Sequence, residues 1–433
     1  MSIPSEILLS PARHLRGSVQ LPGDKSISHR YAMLAGIAEG PSRLENYSTG
    51  ADCASTLGCM HSLGVAWERK NDVIEVQGRG NSLAAPSGPL DCGNSGSTMR
   101  MLSGIVAGQS FTSEMTGDES LSRRPMERVI KPLTEMGARI ESQSGKPPLR
   151  IGGGNLKAID YTMPVASAQV KSCLLFAGLF AEGETRIEEP LRTRDHSEVA
   201  LRTFGVQLER KSLGQGGEVR IRGGQRLRGV EARIPGDLSS AAFFLCAAGL
   251  FPRSQLAIPN LLMNPRRARL LDILMQMGLK IAVTQLEEVN GELVGSLQVE
   301  GAGLKGIKIS GGDSAALIDE IPVLAAIAPL TTQGIEVHDA KELRVKESDR
   351  IAAVATNLRR MGAQVEELED GLKIPGGQTL HGAEVESFHD HRIAMAFAIA
   401  ALRAEGDTLI HGAEAAAISY PAFFQTLDAL VER

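Results

Sequence analysis

The sequence predicts an internally repeated α/β protein, made of two similar domains with three helix-and-strand units in each. Three observations carry that prediction. The frame LPGDKSISHR at residues 21–30 returns at 234–243 as IPGDLSSAAF, an offset of 234 − 21 = 213 that is close to half of the 433 residues. A second signature recurs around Gly64, Gly137, Gly205, Gly278 and Gly362, in HSLGVAWE, TEMGARIE, RTFGVQLE, MQMGLKIA and RRMGAQVE. The C-terminal FFQTLDALVER then reads as the helix of a sixth unit.

Each element has a local reason. The Pro-Gly-Asp of both frames is turn chemistry. The apolar runs behind it, YAMLAGIA and FLCAAGLF, read as helices packed inside. The five recurrent glycines follow amphipathic stretches such as ASTLGCMHSL and RLLDILMQM and precede alternating apolar residues, so each reads as a helix, a glycine C-cap and a strand. With crossovers near Leu21 and Ile234, the expected domains are 22–234 and 1–21 with 235–433, the strand-like GSVQL going with the C-terminal half. No low-complexity linker separates them, which predicts close-packed domains with a hinge and an active-site cleft between them.

Composition narrows the function classes. The hydrophobic content of 42% is ordinary for a soluble globular chain, and the net charge of −5 provides no global basic field for nucleic acid or an anionic membrane. Any anion site must be local. Cys53, Cys59, Cys92, Cys173 and Cys246 are odd in number and far apart, which predicts reduced, mostly buried thiols rather than a disulfide framework or zinc ribbon. The N-terminus has no apolar signal-like run, and AAFFLCAAGLF is too short to span a bilayer, so the expectation is a cytoplasmic protein.

The first Pro-Gly-Asp frame carries Lys25 and Arg30 where the second has Leu238 and Phe243. Together with Ser26, Ser28 and the backbone amides of a helix N-terminus, that asymmetry marks a phosphate or carboxylate site, against the plainer reading that Ser26 only caps the helix. DCGNSGSTMR (91–100) lets backbone approach a ligand closely. Arg123 and Arg124 precede Pro125 on a loop feeding a helix, either as a solvated pair or as guanidinium forks for an anion. Ser167, Gln169 and Lys171 precede an apolar helix, where an N-cap is the alternative. Asp319 and Glu320 interrupt the apolar ALIDEIPVLAAIA, and buried carboxylates are costly unless paired or used. Lys346 and Arg350, spaced i, i+4, are expected on one helix face beside Glu347. His389, Asp390, His391 and Arg392 open another apolar helix, with spacing that suits an anion or structural role better than a metal. PGDKS is not a P-loop and no dinucleotide turn follows a strand, so the residues point to a phosphate-handling enzyme without nucleotide, cofactor or metal.

LPGDKSISHR, GNSGSTMR, SRRPM, SAQVKS, IDEIP, LRVKESDR and DHRIAM, in this order and over essentially the whole chain, resemble the EPSP synthase family, the 3-phosphoshikimate 1-carboxyvinyltransferases of aromatic amino acid and chorismate biosynthesis. The resemblance implies two domains of three βαβαββ units each, in an inside-out α/β barrel. It implies transfer of the enolpyruvyl group of phosphoenolpyruvate to the 5-hydroxyl of shikimate-3-phosphate, with release of phosphate. Lys25, Ser26, Arg30, Ser167, Gln169, Arg194, Asp319 and Lys346 would bind shikimate-3-phosphate. Lys25, Gly96, Arg124, Gln169, Arg350 and Arg392 would bind phosphoenolpyruvate. Asp319 would accept the hydroxyl proton, while Glu347 and Lys25 would protonate the methylene carbon and stabilise the tetrahedral intermediate. A monomer is the family expectation.

The SAQVK form is similar to the class II branch, often described as tolerant to glyphosate. Gly96 stands where some tolerant members carry alanine. Ile418 stands where many relatives have lysine, and Glu342 where some have asparagine. Two rival readings differ in substrate or class. UDP-N-acetylglucosamine enolpyruvyl transferases typically carry a reactive cysteine before the key arginine, and residues 111–124 contain none. A non-catalytic anion-binding protein would have no reason to place Asp319 and Glu347 in a cationic site.

Overall fold

The five recurrent glycines each end a helix and turn the chain into a strand. All have positive φ, between +84° at Gly64 and +106° at Gly278, a conformation that costs residues with a Cβ. The helices Ala51–Ser62, Glu127–Glu135, His196–Thr203, Arg269–Gln276 and Arg350–Arg360 precede them. The strands Ala66–Lys70, Arg139–Gln143, Leu208–Leu213, Lys280–Val289 and Glu366–Leu368 follow. Helix Phe423–Leu430 stands close to the C-terminus.

The computed structural model describes residues 3–433. The chain divides into two units, one of residues 25–234 with 289–292, the other of residues up to Asp24 with 235–288 and 293–433. In the first unit, strands Leu90–Asp91 and Thr112–Thr116 pair in parallel, and Lys146–Gly152 and Arg139–Gln143 continue the sheet antiparallel. Asp160–Thr162, Glu184–Glu189, Gly216–Arg222 and Leu208–Leu213 repeat that order. The third sheet builds on Ala38–Glu45, which pairs in parallel with Leu227–Arg228 and Glu231–Arg233 and antiparallel with Val73–Arg79.

The second unit uses the same logic. Ile307–Ile309 and Ile335–Val337 are parallel, followed by antiparallel Gly371–Ile374 and Glu366–Leu368. Glu384–Glu386 and Thr408–His411 are parallel, and N-terminal Glu6–Leu9 completes their sheet. His14–Ser18 pairs in parallel with Gln255–Leu262, so the N-terminal segment is built into this unit. The fold is therefore mixed α/β with several small mixed sheets.

Two helices of the second unit are buried on all sides, as expected for segments apolar all round. Every residue of Leu238–Leu250 and of His391–Ala401 is buried. In the first unit, Gly96–Ala107 and Ala168–Gly178 approach so closely that a Cβ on Gly104 would lie 2.1 Å from the Cys173 carbonyl oxygen. That contact fixes the spacing of two helices whose first turns carry candidate site residues.

The two Pro-Gly-Asp turns pair with each other. Asp24 N–H donates to the Pro235 carbonyl at 2.7 Å and Asp237 N–H to the Pro22 carbonyl at 2.9 Å, around a bridge between Gly23 and Gly236. The five cysteines are buried and free. Among the described residues, no helix is long and apolar enough to cross a membrane.

One local expectation fails. Lys346 and Arg350 do not share a helix face, because helix Arg350–Arg360 begins at Arg350 and Lys346 follows the 3-10 turn Lys341–Val345. The Asp349 side chain caps the helix by accepting from Ala352 N–H at 3.0 Å, which stops it one turn short of Lys346.

Candidate active site

In the unit of residues 25–234, the first turns of several helices carry the candidate anion groups. Helix Lys25–Gly36 begins at Lys25, whose Nζ lies 2.9 Å from Asp52 Oδ2. Ser26 is half-buried on the same turn. Arg30 is buried and donates through Nε to Ser197 Oγ (2.6 Å), through Nη1 to the Ser26 carbonyl (2.7 Å) and through Nη2 to Ser172 Oγ (2.8 Å). Its guanidinium thus braces the Ser26 turn. The neighbouring His29 ring is buried with its pKa held well below the usual value by desolvation and by the charges of Lys25 and Arg30. Its Nδ1 lies 2.7 Å from Thr56 Oγ1, which continues to Thr98 Oγ1 at 2.7 Å and so to the Ser95 cap.

Ser95 caps helix Gly96–Ala107 through Thr98 N–H. A Cβ on Gly96 would lie 3.0 Å from Arg100 Nη1 and 3.4 Å from Arg124 Nη1, so the glycine gives two guanidinium groups their room. The adjacent arginines differ sharply. Arg123 is exposed and paired with Glu119, whereas Arg124 is buried and donates through Nη2 to Asn94 Oδ1 at 2.8 Å and Ser120 Oγ at 3.0 Å. Ser167 caps helix Ala168–Gly178, its Oγ accepting from Val170 N–H. Gln169 bridges Arg100 Nη1 and Ser97 Oγ, both at 2.8 Å. Arg194 is half-buried on the loop before helix His196–Thr203. Lys171, by contrast, is turned inward to Glu189 and Glu198.

The other unit gathers charges of both signs. Asp319 Oδ1 lies 3.7 Å from Lys346 Nζ and 3.8 Å from Arg350 Nη1, and the Asp319 carbonyl accepts from Arg392 Nη1 at 2.8 Å. Arg350 is sealed at 1% exposure, with Nε on Asp390 Oδ2 (2.8 Å) and Nη2 on Glu347 Oε2 (2.7 Å). Asp390 also accepts from Ser348 Oγ and caps helix His391–Ala401 through Arg392 N–H. Desolvation pulls the Lys346 pKa below the lysine range, outweighing the carboxylate of Asp319. The carboxylates of Asp390, Glu347 and Asp319 more than offset that effect at Arg350 and push its pKa up. Such a cluster can hold an anion on fixed cations while keeping a carboxylate ready to take a proton. Glu320 points the other way, accepting from Ser239 Oγ and lying 3.5 Å from Arg267 Nη2.

Several of these partners lay outside sequence reasoning. Asp52 beside Lys25 and Arg267 beside Glu320 carry no local signal apart from being polar residues in segments that fold inward.

A family model described as EPSP synthase (3-phosphoshikimate 1-carboxyvinyltransferase) matches residues 9–427. The chain belongs to the EPSP synthase family. Among curated members, a 3-phosphoshikimate 1-carboxyvinyltransferase of Koribacter versatilis is 60% identical, with 99% of both chains covered. One from Solibacter usitatus is 56% identical, over 98% of this chain and 99% of its own. Among solved structures, an EPSP synthase of Acinetobacter baumannii superposes with a TM-score of 0.86 at 41% identity, over 98% of each chain. The fold and the order of the motifs therefore belong to one family over residues 9–427.

Proposed function

We propose that the chain transfers the enolpyruvyl group of phosphoenolpyruvate to the 5-hydroxyl of shikimate-3-phosphate, as a transferase of the shikimate pathway to aromatic amino acids. Full-length identity of 60% to a 3-phosphoshikimate 1-carboxyvinyltransferase supports the activity. The observation that carries the residue roles is the cluster of Asp319, Lys346, Arg350, Glu347 and Arg392, in which carboxylates sit among cations that an anion-binding protein alone would not need.

In this reading, each unit has its own share of the work. Lys25, Ser26, Arg30, Ser167, Gln169 and Arg194 hold shikimate-3-phosphate, with Asp319 and Lys346 at the reacting hydroxyl. Lys25, Gly96, Arg124, Gln169, Arg350 and Arg392 receive phosphoenolpyruvate. Asp319 takes the proton as the 5-hydroxyl oxygen bonds to C2 of phosphoenolpyruvate. Glu347 or Lys25 gives a proton to C3, making the methyl group of a tetrahedral intermediate whose charge the arginines stabilise. Loss of a C3 proton and departure of phosphate then yield the enol ether. The SAQVK form supports the class II branch, and the family pattern supports a cytosolic monomer of two domains with three βαβαββ units each.

Phosphate release from phosphoenolpyruvate, measured with and without shikimate-3-phosphate, tests the reading. Release is expected only with that acceptor. Release driven by UDP-N-acetylglucosamine instead, or none from folded protein with either acceptor, would overturn it.

A further inference from the structure

Arg194 lies on the loop between strand Glu184–Glu189 and helix His196–Thr203, and both ends of that loop converge on one buried ammonium. Lys171 Nζ is 2.7 Å from Glu198 Oε1 and 3.2 Å from Glu189 Oε2, with all three side chains at most 5% exposed. Glu189 Oε2 in turn accepts from Thr193 N–H at 3.0 Å and Thr193 Oγ1 at 2.7 Å. The residue before Arg194 is therefore tied to Lys171 through Glu189, and the helix after it through Glu198. The adjoining residues repeat the link, Ser172 Oγ lying 2.6 Å from Ser197 Oγ, with Arg30 donating to both.

We infer that Lys171 is a positioning residue for shikimate-3-phosphate: it sets Arg194 against the phosphate without touching the substrate. The inference rests on the reading of Arg194 as a shikimate-3-phosphate residue. Stability alone does not account for the triad, because buried ion pairs are often replaceable by apolar residues at little or no cost. Specific geometry is what such a pairing supplies here. Arg194 has a long, entropically expensive side chain, and a loop already held in the binding conformation loses less freedom when the phosphate arrives. Helix His196–Thr203 keeps a separate anchor, His196 Nδ1 lying 2.6 Å from Glu292 Oε1, so the helix does not depend on Lys171 alone.

The test is steady-state kinetics on Lys171→Met, Arg194→Ala and the double variant, with both substrates varied. Lys171→Met should raise KM for shikimate-3-phosphate about tenfold and leave kcat and KM for phosphoenolpyruvate within about threefold. The double variant should match Arg194→Ala, and Lys171→Arg should retain most of the affinity. Thr193→Val removes only the hydroxyl bond to Glu189, so it serves if Lys171→Met does not fold. It should raise the same KM severalfold, again with no further effect beside Arg194→Ala. The inference is overturned if Arg194→Ala weakens shikimate-3-phosphate while Lys171→Met and Thr193→Val do not, or if their effects add in full to it. An Arg194→Ala enzyme with unchanged KM would instead overturn the assignment of Arg194 on which the inference stands.

Discussion

Replacing Gly96 by alanine should separate the two substrates. The added Cβ would sit 3.0 Å from Arg100 Nη1 and 3.4 Å from Arg124 Nη1, so the Arg100 guanidinium must give by a few tenths of an ångström. Arg100 is held by Gln169 at 2.8 Å and Arg124 by Asn94 at 2.8 Å, leaving neither free to move without stretching a hydrogen bond. A hydrogen bond to a charged group contributes about 1.5–3 kcal/mol. Losing one such contact with the carboxylate or phosphate of phosphoenolpyruvate corresponds to roughly a 10- to 100-fold fall in kcat/KM for that substrate. Gly96 opens helix Gly96–Ala107 without positive φ, so alanine costs no backbone strain and the melting temperature should hold. In the assay, KM for phosphoenolpyruvate should rise more than KM for shikimate-3-phosphate, because Gly96 and Arg124 are assigned to phosphoenolpyruvate alone while Gln169 serves both. Equal rises in both KM values, or none in either, would refute the geometric argument.

Asp319→Asn should lower turnover by roughly 100- to 10,000-fold, far more than it weakens shikimate-3-phosphate binding read by calorimetry; equal losses would remove Asp319 as the base. Lys346 has its pKa lowered by desolvation, so the ammonium is lost as pH rises through that lowered value. KM for shikimate-3-phosphate should therefore climb at a pH below the lysine range, and Lys346→Arg should move that limb to higher pH; an unshifted limb would assign it to another group. Burial raises the Tyr31 pKa to about 12, so the folded state keeps a proton that the unfolded chain releases near pH 10. Tyr31 therefore contributes stability that is complete below pH 10 and is lost as pH rises towards 12. Tyr47 and the buried Cys173 and Cys246 are raised in the same direction and add to the alkaline loss, so in urea unfolding Tyr31→Phe should make the fall by pH 11 shallower by roughly 1–2 kcal/mol; an equally steep loss in the variant would count against the assignment.

The helix–glycine–strand turns were legible because their causes are local. A glycine at positive φ after an amphipathic stretch needs no distant partner, and Gly64, Gly137, Gly205, Gly278 and Gly362 all take that conformation. The Pro-Gly-Asp frames also start helices, at Lys25 and Leu238, and the family could be read from motif order along the chain. An i, i+4 spacing does not reveal that Asp349 caps the helix between Lys346 and Arg350, so the two do not share a helix face.

Residue type and spacing thus determined the α/β class and the helix–glycine–strand turns, and the family was carried by the resemblance of its motifs. Tertiary structure decided what each charge faces. Arg123 reaches solvent while Arg124 is buried on Asn94, and Glu320 meets Ser239 and Arg267 from 81 and 53 positions away. Lys171, two residues after Gln169, turns inward to Glu189 and Glu198. The physical reason is desolvation: a charge inside a protein must find a partner, and the partner is supplied by whichever segment the packing brings near, at a sequence distance that no local pattern records.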